Sequence, residues 1–363
     1  MKKVQLSLLL LSTLAMVFSF ASCNEDPKID WDYDSKTDLP SSRAFILCEG
    51  VWGQNNSKLN YFNWANDVAS EDDIYLVQNE KHIGDTAQDL ITDGTYMYMS
   101  VNGSNYVCRM SKAGKEQARN SFIDKLGEVR YLCKCGDFLY ATTYKGIVAK
   151  MDYKTLSFID SVYVGDHPEG ITELDNKLYV SVSGWGADSR VAEISLDNFT
   201  ATPKYIDVMV NPNLIMTVND KVYVQGFGPY DEYWNCNYPW GVIENGKYRE
   251  LGNATSWCSY ENTIYLCLSQ NDWVNNTVKN TFYTYDSETG KFSDENPLKN
   301  IPTEMVNAAI SGMNANPYTG QIYVITSLFE RGNGHIYHFL RDGTYKSKIP
   351  VYGQSPKKIV FFD

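Results

Sequence analysis

Positive charge is scarce in this sequence. Its 363 residues include 32 Lys and Arg against 44 Asp and Glu, which gives a formal net charge of −12. A protein that binds nucleic acid needs a basic face to neutralise the phosphates. We therefore expect no nucleic-acid partner.

Motifs of catalysis are equally scarce. There are only four histidines, and His335 and His338 stand three apart at a predicted strand start, which is not the spacing of a helical metal pair. No G-x-S-x-G turn and no phosphate-binding loop occurs. The sequence predicts a protein that is not an enzyme, with no metal site and no cofactor.

Long hydrophobic runs are absent except at the N-terminus. Lys2 and Lys3 precede an apolar stretch at residues 6–20, followed by Phe20-Ala21-Ser22-Cys23. This pattern is typical of a secretory signal, and the small residues before Cys23 resemble a bacterial lipobox, in which the cysteine is lipidated. An ordinary signal peptide or a single membrane anchor is the alternative, although the run is short for a spanning helix.

The residues after Cys23 predict a tether and then one domain. Asn24-Glu25-Asp26 resembles the surface-export signal of some Gram-negative gut bacteria, and the chain stays polar and acidic to about Ser42. We predict a signal peptide at 1–22, a lipidated cysteine with its tether at 23–42, and a folded domain at 43–363. The protein would be anchored in the outer membrane and face the exterior.

Seven cysteines remain if Cys23 carries lipid. Cys133 and Cys135 lie within a strand pattern and lack the spacing of a zinc site. We interpret most of the seven as small buried apolar residues. Cys258 and Cys267 fall on neighbouring strands of a predicted hairpin and are the candidates for a disulfide.

A repeat determines the fold. Six strand-like segments each carry a central tyrosine, at Tyr98, Tyr140, Tyr179, Tyr223, Tyr265 and Tyr323, and residues 44–50 supply a seventh apolar segment. The first five tyrosines are 39–44 residues apart and the last interval is 58. Four short strands per unit of about 40 residues are the signature of a β-propeller. We predict an all-β, seven-bladed β-propeller with four-stranded blades.

The two ends of the domain predict how the ring closes. Residues 44–50 correspond to the second strand of a unit and residues 355–362 to a first strand. The C-terminal strand can therefore complete the first blade and remove an exposed sheet edge. The tyrosines at a fixed place in strand 2 are interpreted as packing between blades, without a functional role.

The unusual residues collect on one predicted face. Loops between strands 2 and 3, and segments between blades, emerge together at one end of a propeller, which we call the loop face. Five of the eight tryptophans fall in these loops, and residues 230–240 read YDEYWNCNYPW. The candidate ligand-binding residues on this face are Trp52, Asn55, Asp85, Gln88, Arg130, Tyr131, His167, Glu169, Trp185, Tyr230, Tyr233, Trp234, Tyr238, Trp240, Trp257 and Trp273.

Two other interpretations of this face stay open. The aromatic residues can pack as a local cap, although a cap needs no convergence from several blades, whereas a concave site for a sizeable ligand does. Glu169, with Asp85 and His167, can act as acid and base or hold a metal at the mouth of the central channel, as in a hydrolase or lyase. Aromatic faces with carboxamides suit a large, rigid, mostly uncharged ligand, such as a corrin ring or an oligosaccharide.

Four segments resemble a known family: CEGVWGQNNSKLNYFN at 48–63, IGDTAQDL at 83–90, VRYL at 129–132 and VGDHPEGI at 164–171. They are similar to YncE-like, YVTN-repeat propeller lipoproteins of gut bacteria, and most similar to the BtuG-type cobalamin-binding surface lipoproteins. The sequence departs from that pattern at Val129, where relatives often have proline, and in its long fifth-blade loop.

The resemblance implies capture of cobalamin or a related corrinoid and its delivery to a TonB-dependent outer-membrane barrel, with the corrinoid as transported ligand and not as cofactor. The alternative is a surface glycan-binding propeller lipoprotein of a polysaccharide-uptake system.

Overall fold

The computed structural model describes residues 35–121, 125–229, 231–232, 236–272, 275, 277–293, 295–327 and 332–363. Within them, 28 strands form seven antiparallel sheets of four strands each. The innermost strands of neighbouring sheets lie side by side around a central channel. The prediction of a seven-bladed, all-β propeller is confirmed.

The strands follow the chain order blade by blade. Blade 1 contains β1 (Arg43–Cys48), β2 (Lys58–Asn63) and β3 (Val68–Ala69). Blade 2 contains β4 (Ala87–Thr92), β5 (Met97–Val101), β6 (Tyr106–Met110) and β7 (Glu116–Ser121). Blade 3 contains β8 (Val129–Cys135), β9 (Phe138–Thr143), β10 (Ile147–Asp152) and β11 (Phe158–Tyr163). Blades 4 and 5 contain β12 (Pro168–Leu174), β13 (Lys177–Val182), β14 (Arg190–Ser195), β15 (Lys204–Asp207); and β16 (Pro212–Val218), β17 (Lys221–Gly226), β18 (Pro239–Glu244), β19 (Lys247–Asn253).

The last two blades and the closing strand complete the ring. Blade 6 contains β20 (Ser256–Tyr260), β21 (Thr263–Asp272), β22 (Thr277–Asp286) and β23 (Lys291–Phe292). Blade 7 contains β24 (Ile310–Ala315), β25 (Ile322–Thr326), β26 (Asn333–Phe339) and β27 (Tyr345–Gln354), and the closing strand is β28 (Pro356–Phe362). The strand β28 pairs antiparallel with β1 as the inner strand of blade 1, with Arg43 opposite Phe362. The predicted closure is confirmed.

Burial follows the position of a strand in its blade. The second strands β1, β5 and β25 are buried at every residue, because both faces of each lie against a neighbouring blade. The outer strand β7 alternates between half-buried and exposed residues, as expected for a strand with one solvated face.

The repeat tyrosines lie between blades, as the sequence indicates. Tyr98 of blade 2 packs with Val129 and Leu132 of blade 3, and Tyr323 of blade 7 packs with Ile46 of blade 1. Tyr98, Tyr140, Tyr179, Tyr223 and Tyr323 are buried, and Tyr265 is partly buried. A large aromatic side chain at each junction supplies the apolar area that holds neighbouring blades together.

Two short α-helices are found among the described residues, α1 (Ile74–Asn79) between blades 1 and 2 and α2 (Thr303–Val306) before blade 7. Blade 4 also contains two 3-10 turns, at Gly184–Gly186 and Leu196–Asn198. No helix in this part of the chain is both long and apolar enough to span a membrane. The segment before β1 contacts α1, because the Lys36 N–H donates to Gln78 Oε1 at 2.9 Å and Gln78 Nε2 donates to Ser35 Oγ at 2.7 Å.

Two sequence-based expectations differ from the structure. Cys258 and Cys267 are free thiols on β20 and β21, where Cys258 pairs with Tyr265 and Cys267 with Ser256, so the two cysteines are not opposite each other. The loop expected around Trp273, between strands 2 and 3 of blade 6, is shorter than the sequence indicates, since β21 ends at Asp272 and β22 begins at Thr277.

Candidate functional site

One position of the repeat lines the mouth of the channel. Each innermost strand begins with a residue that packs into its blade, and the second residue stands at the loop-face end of the channel. We call these second residues the inner ring: Gln88, Arg130, Glu169, Asn213, Trp257, Ser311 and Lys357. Register shifts directly after the strand starts of β4, β8, β12, β16 and β24 mark a bulge at this level in most blades.

Three members of the inner ring form one hydrogen-bonded network. Arg130 Nε and Nη2 donate to Glu169 Oε2 at 2.9 and 2.7 Å, and Arg130 Nη1 donates to Gln88 Oε1 at 2.5 Å. The network joins blades 2, 3 and 4 across the channel mouth. Because each terminal nitrogen of the guanidinium has an acceptor, the network is a fixed and nearly neutral wall.

Burial and neighbouring charges shift the pKa values of Arg130 and Glu169 in this network. Burial opposes the charge on Arg130, but Glu169 and the nearby tyrosines outweigh it and hold the pKa of the guanidinium above its usual value. Burial raises the pKa of the Glu169 carboxyl, and the charge of Arg130 limits that rise. A buried pair of this kind contributes geometry more than stability, because desolvation offsets much of the attraction.

Two lysines complete the polar side of the channel. Lys357 Nζ lies 3.2 Å from Glu49 Oε2, and Lys358 Nζ lies 2.5 Å from Asp89 Oδ1. The Asp89 carboxylate also accepts the backbone N–H groups of Leu90 and Leu132, each at 3.0 Å. Asp89 is therefore fully satisfied by the protein.

An aromatic surface extends outward from the network. The Trp185 indole stacks on Tyr144 with ring centroids 6.0 Å apart and an angle of 19°, and it contacts His167 at 4.8 Å. The Arg130 guanidinium lies 4.8 Å from the centre of the Tyr144 ring. We call Tyr144, His167 and Trp185 the aromatic ledge; it joins the inner ring at Arg130 and ends in an indole that is 80% exposed.

Local backbone geometry presents that indole. Trp185 has φ 55° and ψ 42°, a left-handed conformation that is uncommon for a non-glycine residue, and it lies between Gly184 and Gly186, which also have positive φ. The Ser183 hydroxyl accepts the Trp185 N–H at 3.2 Å and fixes the turn. A strained backbone conformation costs stability, and residues that are held in one are typical of binding sites.

The first-blade loop supplies the other exposed tryptophan. Trp52 is 69% exposed and has no ring contact with any described residue. Asp85 Oδ2 accepts the Gly53 N–H at 2.8 Å, which ties this loop to the start of blade 2, and Asn55 is exposed with φ 56°. The structure thus places Trp52 and Asn55 on the loop face, but Asp85 serves the loop and is not part of the Arg130 network.

Trp240 does not belong to the candidate site. It lies in β18, not in a loop, and its side chain is fully buried between blades 5 and 6 against Tyr223 and Tyr285. Tyr238, in the preceding loop, packs edge-to-face on Phe227 at 5.7 Å. The interpretation of residues 230–240 as one ligand-facing loop is therefore wrong for Trp240.

The remaining predicted residues divide into two groups. Tyr131 and Trp257 line the channel, with Trp257 only 9% exposed. Tyr230, Tyr233, Trp234, Trp273 and the lipidation candidate Cys23 lie outside the described residues. Among the described residues, no group of three or more His, Cys, Asp or Glu side chains could hold a metal ion.

Sequence reasoning missed Tyr144, Asn213, Lys357 and Lys358. Asn213 and Lys357 occupy the same repeat position as Gln88, Arg130 and Glu169, so a strict comparison of strand starts would have found them. Tyr144 lies in a three-residue loop, and its stacking with Trp185 depends on neighbouring blades, which the sequence does not indicate.

Comparison with known proteins shows the fold. No protein-family model and no curated protein matches the chain. Among solved structures, it is similar to a quinoprotein alcohol dehydrogenase-like protein from Bacteroides thetaiotaomicron, with 16% identity and a TM-score of 0.59 over 87% of this chain and 78% of that one.

Two further neighbours are enzymes by name. Hydrazine synthase from Kuenenia stuttgartiensis has 14% identity and a TM-score of 0.55 over 71% of this chain and 84% of that one. Streptogramin B lyase has 15% identity and a TM-score of 0.53 over 74% and 84%. At these identities the likeness shows a seven-bladed propeller with quinoprotein-like neighbours, and it does not separate a binding protein from an enzyme.

Proposed function

We propose that this protein captures a corrinoid, cobalamin or a relative, on the loop face of its propeller. The aromatic ledge carries the proposal: an indole that is 80% exposed stacks on Tyr144 and continues into the inner ring through Arg130. Flat aromatic surface beside a neutralised polar wall favours a large, rigid ligand that is mostly uncharged.

The polar groups beside the ledge suit the arms of a corrin ring. Asn213 lines the channel and offers an amide that can pair with carboxamides. The Ser311 hydroxyl donates to Pro356 O at 2.7 Å and can still accept a hydrogen bond from a carboxamide. Arg130 is occupied by Glu169 and Gln88, so it offers the face of a stacked cation more than free donors. The resemblance of residues 48–63 and 83–90 to cobalamin-binding lipoproteins supports the same ligand.

The proposal includes a cellular setting. A lipid on Cys23 would anchor the protein to the outer membrane, and the acidic residues that follow would direct it to the exterior surface. The bound corrinoid would then pass to a TonB-dependent barrel. Capture of this kind needs no covalent chemistry and no catalytic residue.

A surface glycan is the second candidate ligand, because an exposed indole is also a stacking platform for a sugar ring. Beside the ledge, the Tyr163 hydroxyl donates to Asp166 Oδ1 at 2.8 Å, and both residues are exposed. Hydroxyl and carboxylate groups next to an aromatic face are what sugar hydroxyls require.

Calorimetric titration of cyanocobalamin into the purified protein tests the proposal. We expect one-to-one binding, and Trp185→Ala should weaken it by about 2 kcal/mol or more, roughly thirtyfold, as for a central aromatic contact. Tyr318→Ala is the matched control, because Tyr318 is 48% exposed and stacks on Trp64 in a turn on the opposite face.

Absence of corrinoid binding by the wild-type protein would refute the proposal. Binding of an oligosaccharide on a glycan array that is lost in Trp185→Ala would then establish the second candidate. Equal effects of the two substitutions would show that the ledge is not the site.

A further inference from the structure

The channel contains a chamber of about 470 Å³ that begins at the inner ring. Its wall is formed mainly by the innermost strands of blades 5, 6 and 7, at residues 213–216, 255–259 and 311–315. Pockets of about 300 to 1,000 Å³ are typical of small-molecule sites, and this chamber falls in the lower half of that range. Its size therefore suits a small molecule.

The charged side chains that line the chamber are already paired. Lys357 Nζ lies 3.2 Å from Glu49 Oε2, and Lys358 Nζ lies 2.5 Å from Asp89 Oδ1. Asp89 also accepts two backbone N–H groups. A charged ligand would find no free counter-charge here, and burying an unpaired charge is costly. The lining therefore favours an uncharged molecule.

Neutral polar groups of the lining are open to a ligand. The Asn213 amide and the Tyr131 hydroxyl make no hydrogen bond to another described residue. The Ser259 hydroxyl has a weak acceptor, Met216 Sδ at 3.9 Å. Burial raises the pKa of the Tyr131 hydroxyl, so this group stays neutral. Groups of these types can donate to, and accept from, an amide or hydroxyl group of a ligand.

The apolar side chains of the lining favour an aromatic ring. The Trp257 indole packs edge-to-face against Trp240, with ring centroids 5.9 Å apart and an angle of 76°, which fixes the plane of the indole. Met216, Met313 and Phe227 line the same chamber. Thioether groups make favourable contacts with aromatic rings and adapt to their outline. An aromatic ring would thus find matching partners in the chamber.

We propose that the chamber is a binding site for a small, uncharged aromatic molecule that carries an amide or hydroxyl group. The ring lies among Trp257, Met216 and Met313. The polar group bonds to the Tyr131 hydroxyl or the Asn213 amide. This inference goes beyond the proposed function, because it does not require the aromatic ledge to bind a corrinoid.

The test compares three probes that share an indole ring and differ in charge at pH 7. They are indole-3-acetamide, which is neutral, indole-3-acetate, which is anionic, and tryptamine, which is cationic. Ligand-observed NMR titration of the purified wild-type protein measures each dissociation constant. We expect about 1 mM or lower for the neutral probe, as for a ligand of this size. Each charged probe should bind at least about tenfold more weakly, because its charge would be buried without a partner.

Tyr131→Phe locates the probe. It removes one hydroxyl from the chamber and should weaken binding of indole-3-acetamide by about threefold to tenfold, as for the loss of one hydrogen bond. Tyr318→Phe is the matched control and should leave the affinity unchanged, because Tyr318 is 48% exposed and stacks on Trp64 at the opposite face.

Two kinds of result would overturn the inference. One is a failure of charge selection, in which the neutral probe does not bind or binds no more tightly than a charged one. The other is an affinity for indole-3-acetamide that Tyr131→Phe changes no more than Tyr318→Phe does, since the probe would then lie outside the chamber. Failure of cyanocobalamin to bind would refute the proposed function alone.

Discussion

The ion pair between Arg130 and Glu169 allows a quantitative prediction. The side chains are only 14% and 8% exposed, so neither charge is well screened by solvent. Glu169→Ala would leave the guanidinium buried, with Gln88 as its remaining acceptor. Removing one partner of a buried pair costs about 3 to 5 kcal/mol, because the other charge is left uncompensated.

That cost converts into a measurable shift of the melting temperature. The propeller from Arg43 to Phe362 has about 320 residues, and its entropy of unfolding is therefore roughly 0.7 kcal/mol/K. A loss of about 4 kcal/mol lowers Tm by about 6 °C. Differential scanning calorimetry of wild-type and variant protein measures the shift.

An exposed ion pair supplies the control. Glu261 pairs with Arg341 at 2.9 Å, and both side chains are about 60% exposed, so Glu261→Ala should change stability by less than about 1 kcal/mol. Combining Arg130→Met with Glu169→Ala should cost less than the two single changes together, because the unpaired charge is gone. A Tm for Glu169→Ala within about 1 °C of wild type would refute the reasoning and mean that the guanidinium is solvated.

Three further predictions concern the fold. Tyr98→Ala should destabilise the propeller by about 3 to 5 kcal/mol in urea unfolding, as for a large buried aromatic residue. Tyr98→Phe loses only the hydrogen bond to Asp93 at 3.0 Å and should cost about 1 kcal/mol. Similar values for the two variants would be inconsistent with packing as the main role of Tyr98. Burial opposes ionisation of Asp67, but hydrogen bonds from His338, Ser347 and Lys346 outweigh it and hold the pKa of the carboxyl below its usual value. The resulting stabilisation is present above the unfolded-state pKa near 4 and is lost as pH falls through the lower folded pKa. Asp67→Asn should therefore lower Tm at pH 7 and flatten the decline of Tm below pH 4. A thiol reagent should label the native protein slowly at the cysteines whose thiol pKa burial raises most, and fast labelling there would contradict their burial: Cys48, Cys108, Cys258 and Cys267.

Much of the fold is predictable from the sequence because equivalent positions of the repeat have equivalent structural roles in each blade. A tyrosine in each of six second strands packs at the junction with the next blade, so the spacing of these tyrosines predicts six blades, and the apolar segment 44–50 adds the seventh. The same logic predicts the closing strand, since residues 355–362 match a first strand that blade 1 lacks.

The site was only partly predictable, because it depends on strand ends. Arg130 and Glu169 were identified from their place near strand starts. Trp240 was placed in a loop as the last residue of the aromatic-rich segment 230–240. Proline is tolerated as the first residue of a strand, however, and β18 begins at Pro239. The aromatic ledge joins residues of two blades, so neither its stacking nor the left-handed backbone of Trp185 could be derived from local sequence.

The pairing of β1 with β28 has a consequence for how the protein matures. These strands are more than 300 residues apart, so the blade formed first along the chain is the last to be completed. Until then, β1 has an unpaired inner edge, which is a template for association with other chains. Contacts at such sequence separation form slowly. Folding of the ring is therefore expected to follow synthesis of the whole domain, and a chaperone that covers the inner edge of blade 1 would protect the nascent protein most.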